Sequence, residues 1–401
     1  MAEASLARGN GLKLHEPTFG VDEIMAAVDC MLTSYVTMGK RVAELERVFA
    51  NLVGVPEGVS CNSGSSANLL AVGALANPQT KDGLRPGDEV IVPALSWSTT
   101  IWPLVQHGLT PVIVDIDPAT LNMDPNEVER AVSAKTRAIM SVHVYGNPCD
   151  MDALEDICAR HGLMMIEDVC EAMGGEYKGR PLGQFGRISS FSFYFSHHIT
   201  TFEGGMCMTA DDEIADTLRI LRSHGWIREA KNKQRYTEQF PEIDPRFLFV
   251  NVGYNLRLTE VQAAVGLEQV PKLEEFLGQR RATAAHWKEL FASQGDFMQT
   301  QSETPGGSHA WFGFPVTVQP GAPYSCQDVR RHFDAAGIET RPIICGNIAL
   351  QPGLQDYPHR TVGDLAAATI VMRNSFSIGN HQAITAENIA WVRDQIDSLP
   401  G

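Results

Sequence analysis

A chain of 401 residues, 44% hydrophobic and 20% charged, has room for about two domains and enough apolar surface for a sizeable core. Its formal net charge of −16, from 48 acidic and 32 basic residues, argues against nucleic acid or an acidic membrane as the main partner but allows a local basic pocket. Eight cysteines, at 30, 61, 149, 158, 170, 207, 326 and 345, include no CxxC pair, so zinc and iron–sulfur spacings are absent and buried reduced thiols are expected.

The opening residues "MAEASLARGNGLKLHEP" carry no apolar stretch of the signal-peptide kind, and no apolar run approaches the ~18 residues of a membrane helix. A cytoplasmic protein without membrane contact is expected. From residue 55 to about 210 short β-rich runs alternate with helical ones. The strand candidates are "GVSCN", "DEVIVPA", "PVIVDI", "RAIMSVHVYG", "LMMIEDV", "ISSFSFYF" and "GMCMTA". Asp124, Pro125 and Glu127 predict a helix start: a side-chain cap, a pre-set φ and an acid in the first turn. Near-continuous apolar strands separated by helices predict an α/β fold with a mostly parallel sheet covered on both faces. Ligands in such sheets bind at the carboxyl ends of the strands. The polar segment 228–247 reads as a mobile loop near a site. A helical stretch over 259–295, interrupted at Pro271, leads into a smaller α+β unit containing "WFGFPVTV", "SCQDVRRHFDAAG" and "ENIAWVRDQIDSL". This divides the chain into a large domain over 1–255 and a smaller one over 256–401.

Five stretches carry candidate chemistry. "NSGSSANLL" (62–70) sets Gly64, Ser65 and Ser66 at a strand-to-helix turn, which suits either a plain helix cap or an anion held by backbone N–H groups. "ALSWSTT" (94–100) ends a strand with Trp97, which can pack in a core or stack on a flat ring. "MMIEDVCEAMGG" (164–175) places Glu167, Asp168 and Glu171 at the end of an apolar strand, where a carboxylate is costly unless paired. "SFYFSHHITTFEGG" (192–205) holds the adjacent His197 and His198. Adjacent strand residues diverge and no third ligand follows, so no metal site is expected; at strand spacing His198 points away from His197 and reads as structural. "GYNLRLTEVQ" (253–262) sets Asn255 and Arg257 in a turn before a helix, another anion-suited position.

In this order and combination the stretches resemble the fold-type-I, pyridoxal 5′-phosphate (PLP)-dependent sugar aminotransferases of the DegT/DnrJ/EryC1/StrS family, over about residues 12 to 395. The resemblance implies an aspartate aminotransferase-like fold: a large α/β/α domain with a mixed sheet, and a smaller C-terminal α+β domain. It also implies that Gly64, Ser65 and Ser66 hold the cofactor phosphate, that Trp97 stacks on its ring, and that Asp168 binds the ring nitrogen. Ser192 precedes the catalytic position, and Asn255 reaches the phosphate from a neighbouring subunit, so a homodimer with shared sites is implied.

The family's aminotransferases carry a cofactor-bearing lysine where this chain has His197, and an imidazole cannot take over that covalent link. The same substitution marks the family's nucleotide-sugar 3-dehydratase branch, with Glu171 in place of the usual glutamine, and "HGWIR", "WFGF" and "GIETRPIICGN" are similar as well. The branch implies conversion of an NDP-4-keto-6-deoxy sugar, with GDP-linked mannose as the expected form, into a 4-keto-3,6-dideoxy sugar and ammonia. L-glutamate would convert PLP to pyridoxamine 5′-phosphate, and His197, Asp168 and Glu171 would be catalytic. His224, Arg228, Phe247 and Arg341 are the implied substrate-binding residues; equally, they read as solvated arginines or loop packing. A related dehydratase type carries an iron–sulfur cluster on cysteines after the histidine, but here none occurs between Cys207 and Cys326, so no cluster is expected. An aminotransferase with a lysine elsewhere, or a silent subunit, remain as alternatives. The purified protein should show no visible absorbance of a lysine-held cofactor, whereas His197→Lys should gain it; a lysine variant lacking that band would place the covalent site elsewhere.

Overall fold

In the computed structural model, which describes residues 11–399, the apolar runs assemble mainly into one sheet. In chain order the strands are β1 (Glu57–Cys61), β2 (Glu89–Pro93), β3 (Thr110–Val114), β4 (Thr136–Val142), β5 (Met164–Asp168), β6 (Ile188–Ser192) and β7 (Gly205–Thr209). The C-terminal half adds β8 (Met298–Thr300), β9 (Phe314–Val318), β10 (Arg360–Thr361) and β11 (Ser375–Ile378). The eight-stranded sheet has the order β1-β7-β6-β5-β4-β2-β3-β10. Strand β7 is antiparallel to both its neighbours and the remaining pairs are parallel.

Helices cover both faces: α1 (Val21–Leu32), α2 (Lys40–Val53), α3 (Gly64–Leu75), α4 (Ser98–Gln106), α5 (Pro125–Ala131), α6 (Met151–His161) and α7 (Asp212–Arg222). They are followed by α8 (Lys233–Gln239), α9 (Glu260–Gln269) and α10 (Leu273–Ala292). Successive strand residues point to opposite faces, and here both faces are core. Val90 and Val92 of β2 pack with Leu70, Leu104 and Leu218, while Ile91 between them packs with Phe49, Leu154 and Val112. That is why these strands read as apolar throughout and not as alternating. Asp124 caps α5 as the sequence predicts, accepting from the Asn126 N–H at 2.8 Å. Among the described residues no helix is long and apolar enough to cross a membrane.

Two local expectations are revised. The strand expected over 188–195 ends at Ser192, and residues 193–204 form a loop. The polar 228–247 segment, expected to be a loop, carries α8 between two short turns.

The smaller sheet, in the order β8-β9-β11, is antiparallel and packs with α10 and the helices Cys326–Ala335 and Ala386–Asp397 around Trp287, Phe314, Phe333 and Phe376. Leu12 belongs to this cluster, its N–H donating to Gly337 O at 3.0 Å. Conversely β10, far along the chain, adds to the edge of the large sheet beside β3. Each unit thus holds a segment from the other end of the chain.

The first turn of α9 anchors α2. Buried Glu260 accepts from the backbone N–H groups of Gly39, Arg41 and Val42 at 2.9, 3.0 and 2.8 Å, donors that a helix start leaves without partners. Glu260→Ala should therefore cost about 3 kcal/mol, since hydrogen bonds to a charged acceptor are each worth ~1.5–3 kcal/mol and overlap here. It should lower the melting temperature clearly, and Glu260→Gln should lower it less. An alanine variant melting like the parent would refute this anchoring.

Candidate active site

The carboxyl ends of β4, β5 and β6 and the first turns of α3 and α4 surround a cleft of about 450 Å³. Ser63 caps α3, its Oγ accepting from the Ser66 N–H at 3.1 Å. At Gly64 a side chain has no room: a Cβ there would lie 2.5 Å from the Ser192 Cβ. Trp97 is the residue before α4, 52% exposed, and it lines the cleft. The Ser65 hydroxyl donates to Thr99 Oγ1 at 3.1 Å, so two helix starts stand side by side with hydroxyls between them. Unpaired N–H groups and the positive ends of two helix dipoles make this a place for a phosphate.

Asp168 ends β5 at the floor of the cleft. Its Oδ2 accepts from Asn68 Nδ2 and from the Thr100 hydroxyl, both at 2.8 Å, and its Oδ1 accepts from the Cys170 N–H at 3.2 Å. All three partners are neutral. A buried carboxylate in that setting suits a cationic partner. Glu167, one residue earlier, faces the other side of the sheet. There it accepts from the N–H groups of Gly183, Phe185 and Gly186 at 2.9, 2.6 and 2.6 Å and lies 3.4 Å from His143 Nε2. It organises a loop and takes no part in the cleft.

His197 sits in the loop after β6. Its Nδ1 lies 2.6 Å from the Cys170 carbonyl oxygen, a contact that requires a proton on Nδ1 and leaves the lone pair on Nε2. Burial pulls its pKa down to about 4; the Cys170 carbonyl opposes this, and the Arg280 and Arg341 guanidiniums add to it. The imidazole is therefore a neutral proton acceptor. His198 departs from the strand-spacing expectation because the strand has already ended: its ring and that of His197 both meet Phe312, with centroids 6.0 and 4.9 Å away. Its Nε2 donates to Ala310 O at 3.0 Å, and it is fully buried.

Glu171 faces the cleft from the loop after β5, accepting from the Tyr145 N–H at 2.9 Å. Tyr145 holds a left-handed φ of 57° that directs this N–H, and its hydroxyl donates to Ser377 Oγ at 2.9 Å. Arg341 lines the same wall, and among the described residues it forms no ion pair, which leaves its guanidinium free for an incoming carboxylate or phosphate.

Of the sequence-predicted residues, Gly64, Ser65, Trp97, Asp168, Glu171, Ser192, His197 and Arg341 line one cleft. The Ser66 hydroxyl is instead engaged with Ser63 Oγ inside the cap, at 3.0 Å. His224, Arg228, Phe247 and Asn255 lie exposed on the segments after α7, outside this chain's cleft. Arg228 stacks its guanidinium on Trp226 at 5.2 Å, and Asn255 accepts from Arg257 Nε at 3.1 Å. Asn68, Thr100 and Phe312 were not anticipated. Asn68 was readable in principle, as a polar residue in the apolar helix "ANLLAVGAL" one turn from Gly64; Phe312 lies in the "WFGF" run, which marks the resemblance but assigns this residue no place in the site.

Burial pushes the Glu171 carboxyl up to about 7 from its usual 4.5, against the Tyr145 N–H and Arg341, which lower it. The folded carboxyl holds its proton more tightly than the unfolded one. Its contribution to stability is present below the unfolded value and is lost as pH rises toward the folded one. The melting temperature of the parent should therefore fall more steeply between about pH 5 and 7 than that of Glu171→Gln. Equal slopes would place the raised group elsewhere.

Comparison with known proteins agrees with this geometry. Residues 18–397 match the DegT/DnrJ/EryC1/StrS aminotransferase family. The chain is 38% identical over 94% of its length, and 95% of the relative's, to GDP-4-keto-6-deoxy-D-mannose 3-dehydratase from Yersinia pseudotuberculosis. It superposes on the Escherichia coli enzyme of that activity with bound hydrated PLP, with a TM-score of 0.88 and 33% identity over 96% of this chain and 99% of that one. A structure of GDP-4-keto-6-deoxymannose-3-dehydratase with bound GDP-perosamine gives a TM-score of 0.91 and 34% identity, covering 96% of this chain and 100% of that one. Sequence and fold agree, and the chain belongs to the DegT/DnrJ/EryC1/StrS aminotransferase family.

Proposed function

We propose that this chain is a PLP/pyridoxamine 5′-phosphate-dependent nucleotide-sugar 3-dehydratase. It takes an NDP-4-keto-6-deoxyhexose, GDP-4-keto-6-deoxymannose first among them, and L-glutamate as amino donor and reductant, and releases a 4-keto-3,6-dideoxy sugar, 2-oxoglutarate and ammonia. The observation that carries this reading is that among the described residues no lysine lines the cleft, whereas His197 stands in it with a free Nε2. That separates it from the aminotransferase alternative.

The residues present fit the cofactor. The α3 and α4 starts with Ser65 would hold its phosphate, Trp97 would lie against its ring, and Asp168 would keep the ring nitrogen protonated. Bound there, the cofactor supplies the amino group and the electron sink through which the C3 hydroxyl can leave. His197 takes a proton at Nε2 and returns it, work typically worth ~10²–10⁴-fold. Glu171, poised near neutrality, can hold or give a proton on the facing side. Arg341 receives the carboxylate of glutamate. The exposed positions of His224, Arg228, Phe247 and Asn255 suit a homodimer in which each subunit completes its partner's cleft, working in the cytoplasm on soluble nucleotide sugars.

Incubation with PLP, L-glutamate and a panel of NDP-4-keto-6-deoxy sugars, followed by mass spectrometry, should show loss of one oxygen from C3 with release of ammonia. The GDP-linked substrate should react fastest, and His197→Ala should slow it by ~10²–10⁴-fold. Nitrogen-15 from labelled glutamate retained in the sugar would instead identify an aminotransferase.

A further inference from the structure

Phe312 lies more than a hundred residues from His197 and His198 in the chain, yet its ring contacts much of the catalytic wall. It lies 4.9 Å from the His197 ring, 6.0 Å from those of His198 and Tyr145, and 5.9 Å from the Arg341 guanidinium. The segment that delivers it is held from several directions. Phe312 N–H donates to Tyr145 O at 2.8 Å, and Ala310 N–H donates to Gly146 O at 2.9 Å. Trp311 adopts a left-handed φ of 48°, with its N–H on His309 Nδ1 at 2.8 Å and its indole stacked on the His309 ring at 3.7 Å. Gly313 follows, where a Cβ would come within 2.6 Å of the Tyr145 ring.

Arg280 of α10 ties this segment down. It is 2% exposed, and its Nη1 donates to Trp311 O at 3.3 Å, to Phe312 O at 2.9 Å and to Asn380 O. Among the described residues no carboxylate lies within ion-pair range of it, and its Nε has no partner. A buried guanidinium offered only carbonyls is costly, and two of the three carbonyls it gathers are those of Trp311 and Phe312 at the tip of this segment. From the other side His198 donates to Ala310 O.

His197 needs this support. Its hydrogen bond to the Cys170 carbonyl fixes one edge of the imidazole but leaves the ring free to swing about that contact. An aromatic wall against the ring face removes the remaining freedom. We propose that Phe312 is a positioning residue for His197: clamped by Arg280 through the carbonyls of Trp311 and Phe312, its ring sets the plane of the imidazole and thereby the direction of Nε2. The inference rests on His197 carrying the proton in the proposed dehydration. It also gives the two adjacent histidines separate tasks, since His198 ties the loop to the segment that bears Phe312.

The test uses Phe312→Leu, Phe312→Tyr and Arg280→Lys in the full-length protein. Side-chain nitrogen-15 signals of His197, read without substrate, should show a single Nδ1–H tautomer in the parent and in the tyrosine variant. They should become averaged in the leucine and lysine variants. With the GDP-linked keto sugar, kcat of the leucine variant should fall about 10–100-fold, the scale expected for ångström misplacement of a reacting group, while KM changes little. Arg280→Lys supplies the same readout should Phe312→Leu fail to fold. An unchanged tautomer pattern in Phe312→Leu and Arg280→Lys would overturn the proposal, whether or not kcat falls, because Phe312 would then be packing alone. Averaged signals in a protein whose parent form dehydrates no sugar would support the positioning and count against the dehydratase reading.

Discussion

One carboxylate oxygen organises the site. Asp168 Oδ2 is bonded at once by Asn68 from α3 and by Thr100 from α4, so the two helix starts that could hold a phosphate are referred to the same atom. Behind them Ser190 of β6 donates to Asn68 Oδ1 at 2.5 Å, which ties the third element in. The distance between an anion site at the helix starts and a cation site at Asp168 is therefore a property of the scaffold and not of mobile side chains. A ligand that carries an anion and a cationic ring nitrogen at opposite ends meets a ready-made spacing, and preorganisation of this kind lowers the cost of ordering on binding.

The histidine works within that frame. A lysine reaches a ligand on a long flexible stem, whereas His197 is short and has one nitrogen already committed to Cys170 O. Only Nε2 is left for chemistry, and burial with two nearby guanidiniums keeps it unprotonated. Glu171, whose carboxyl is pushed the other way, toward neutrality, stands in the same cleft. One group disposed to accept a proton and one disposed to keep it, set apart by their environments, is a recurrent arrangement for acid–base work.

Much of this was legible in the sequence, and the reasons differ by residue. The strands of the large sheet were readable because both of their faces are buried, as the split of Val90, Ile91 and Val92 between two cores illustrates. Gly64, Asp168 and His197 stood out because each occupies a place where a generic residue would fail: no room for a Cβ, no exposed carboxylate, no lysine. Errors arose where tertiary contacts overrule local pattern. The run 193–195 is as apolar as a strand, but Phe193 N–H and the hydroxyl of Thr200 close a loop instead, donating to Gly204 O at 2.9 Å and Phe193 O at 3.0 Å. The "WFGF" run marked Phe312, but its place beside His197 and the role of Arg280 were not legible, because both depend on the shape of a segment over a hundred residues away from the histidines. The roles of Asn68 and Thr100 likewise depend on two helices meeting one strand end.

The docking of the N-terminal segment bears on how the molecule is assembled. Asn388 Nδ2 donates to Gly11 O at 2.7 Å, joining positions 377 residues apart, and Gln382 reaches Glu16 O at 3.1 Å. The first described residues and the last helix thus close upon each other, and the large sheet is, in topological terms, a long excursion inserted into the small unit. During synthesis the backbone carbonyls of Gly11 and Glu16 must wait for Asn388 and Gln382 before they find these partners. Contacts of such separation form late because loop-closure entropy must be overcome first. The small unit is therefore completed only after the cleft-bearing sheet has been made, and the wall contributed by residues 309–313 is synthesised after β1 to β7 but before the edge strand β10.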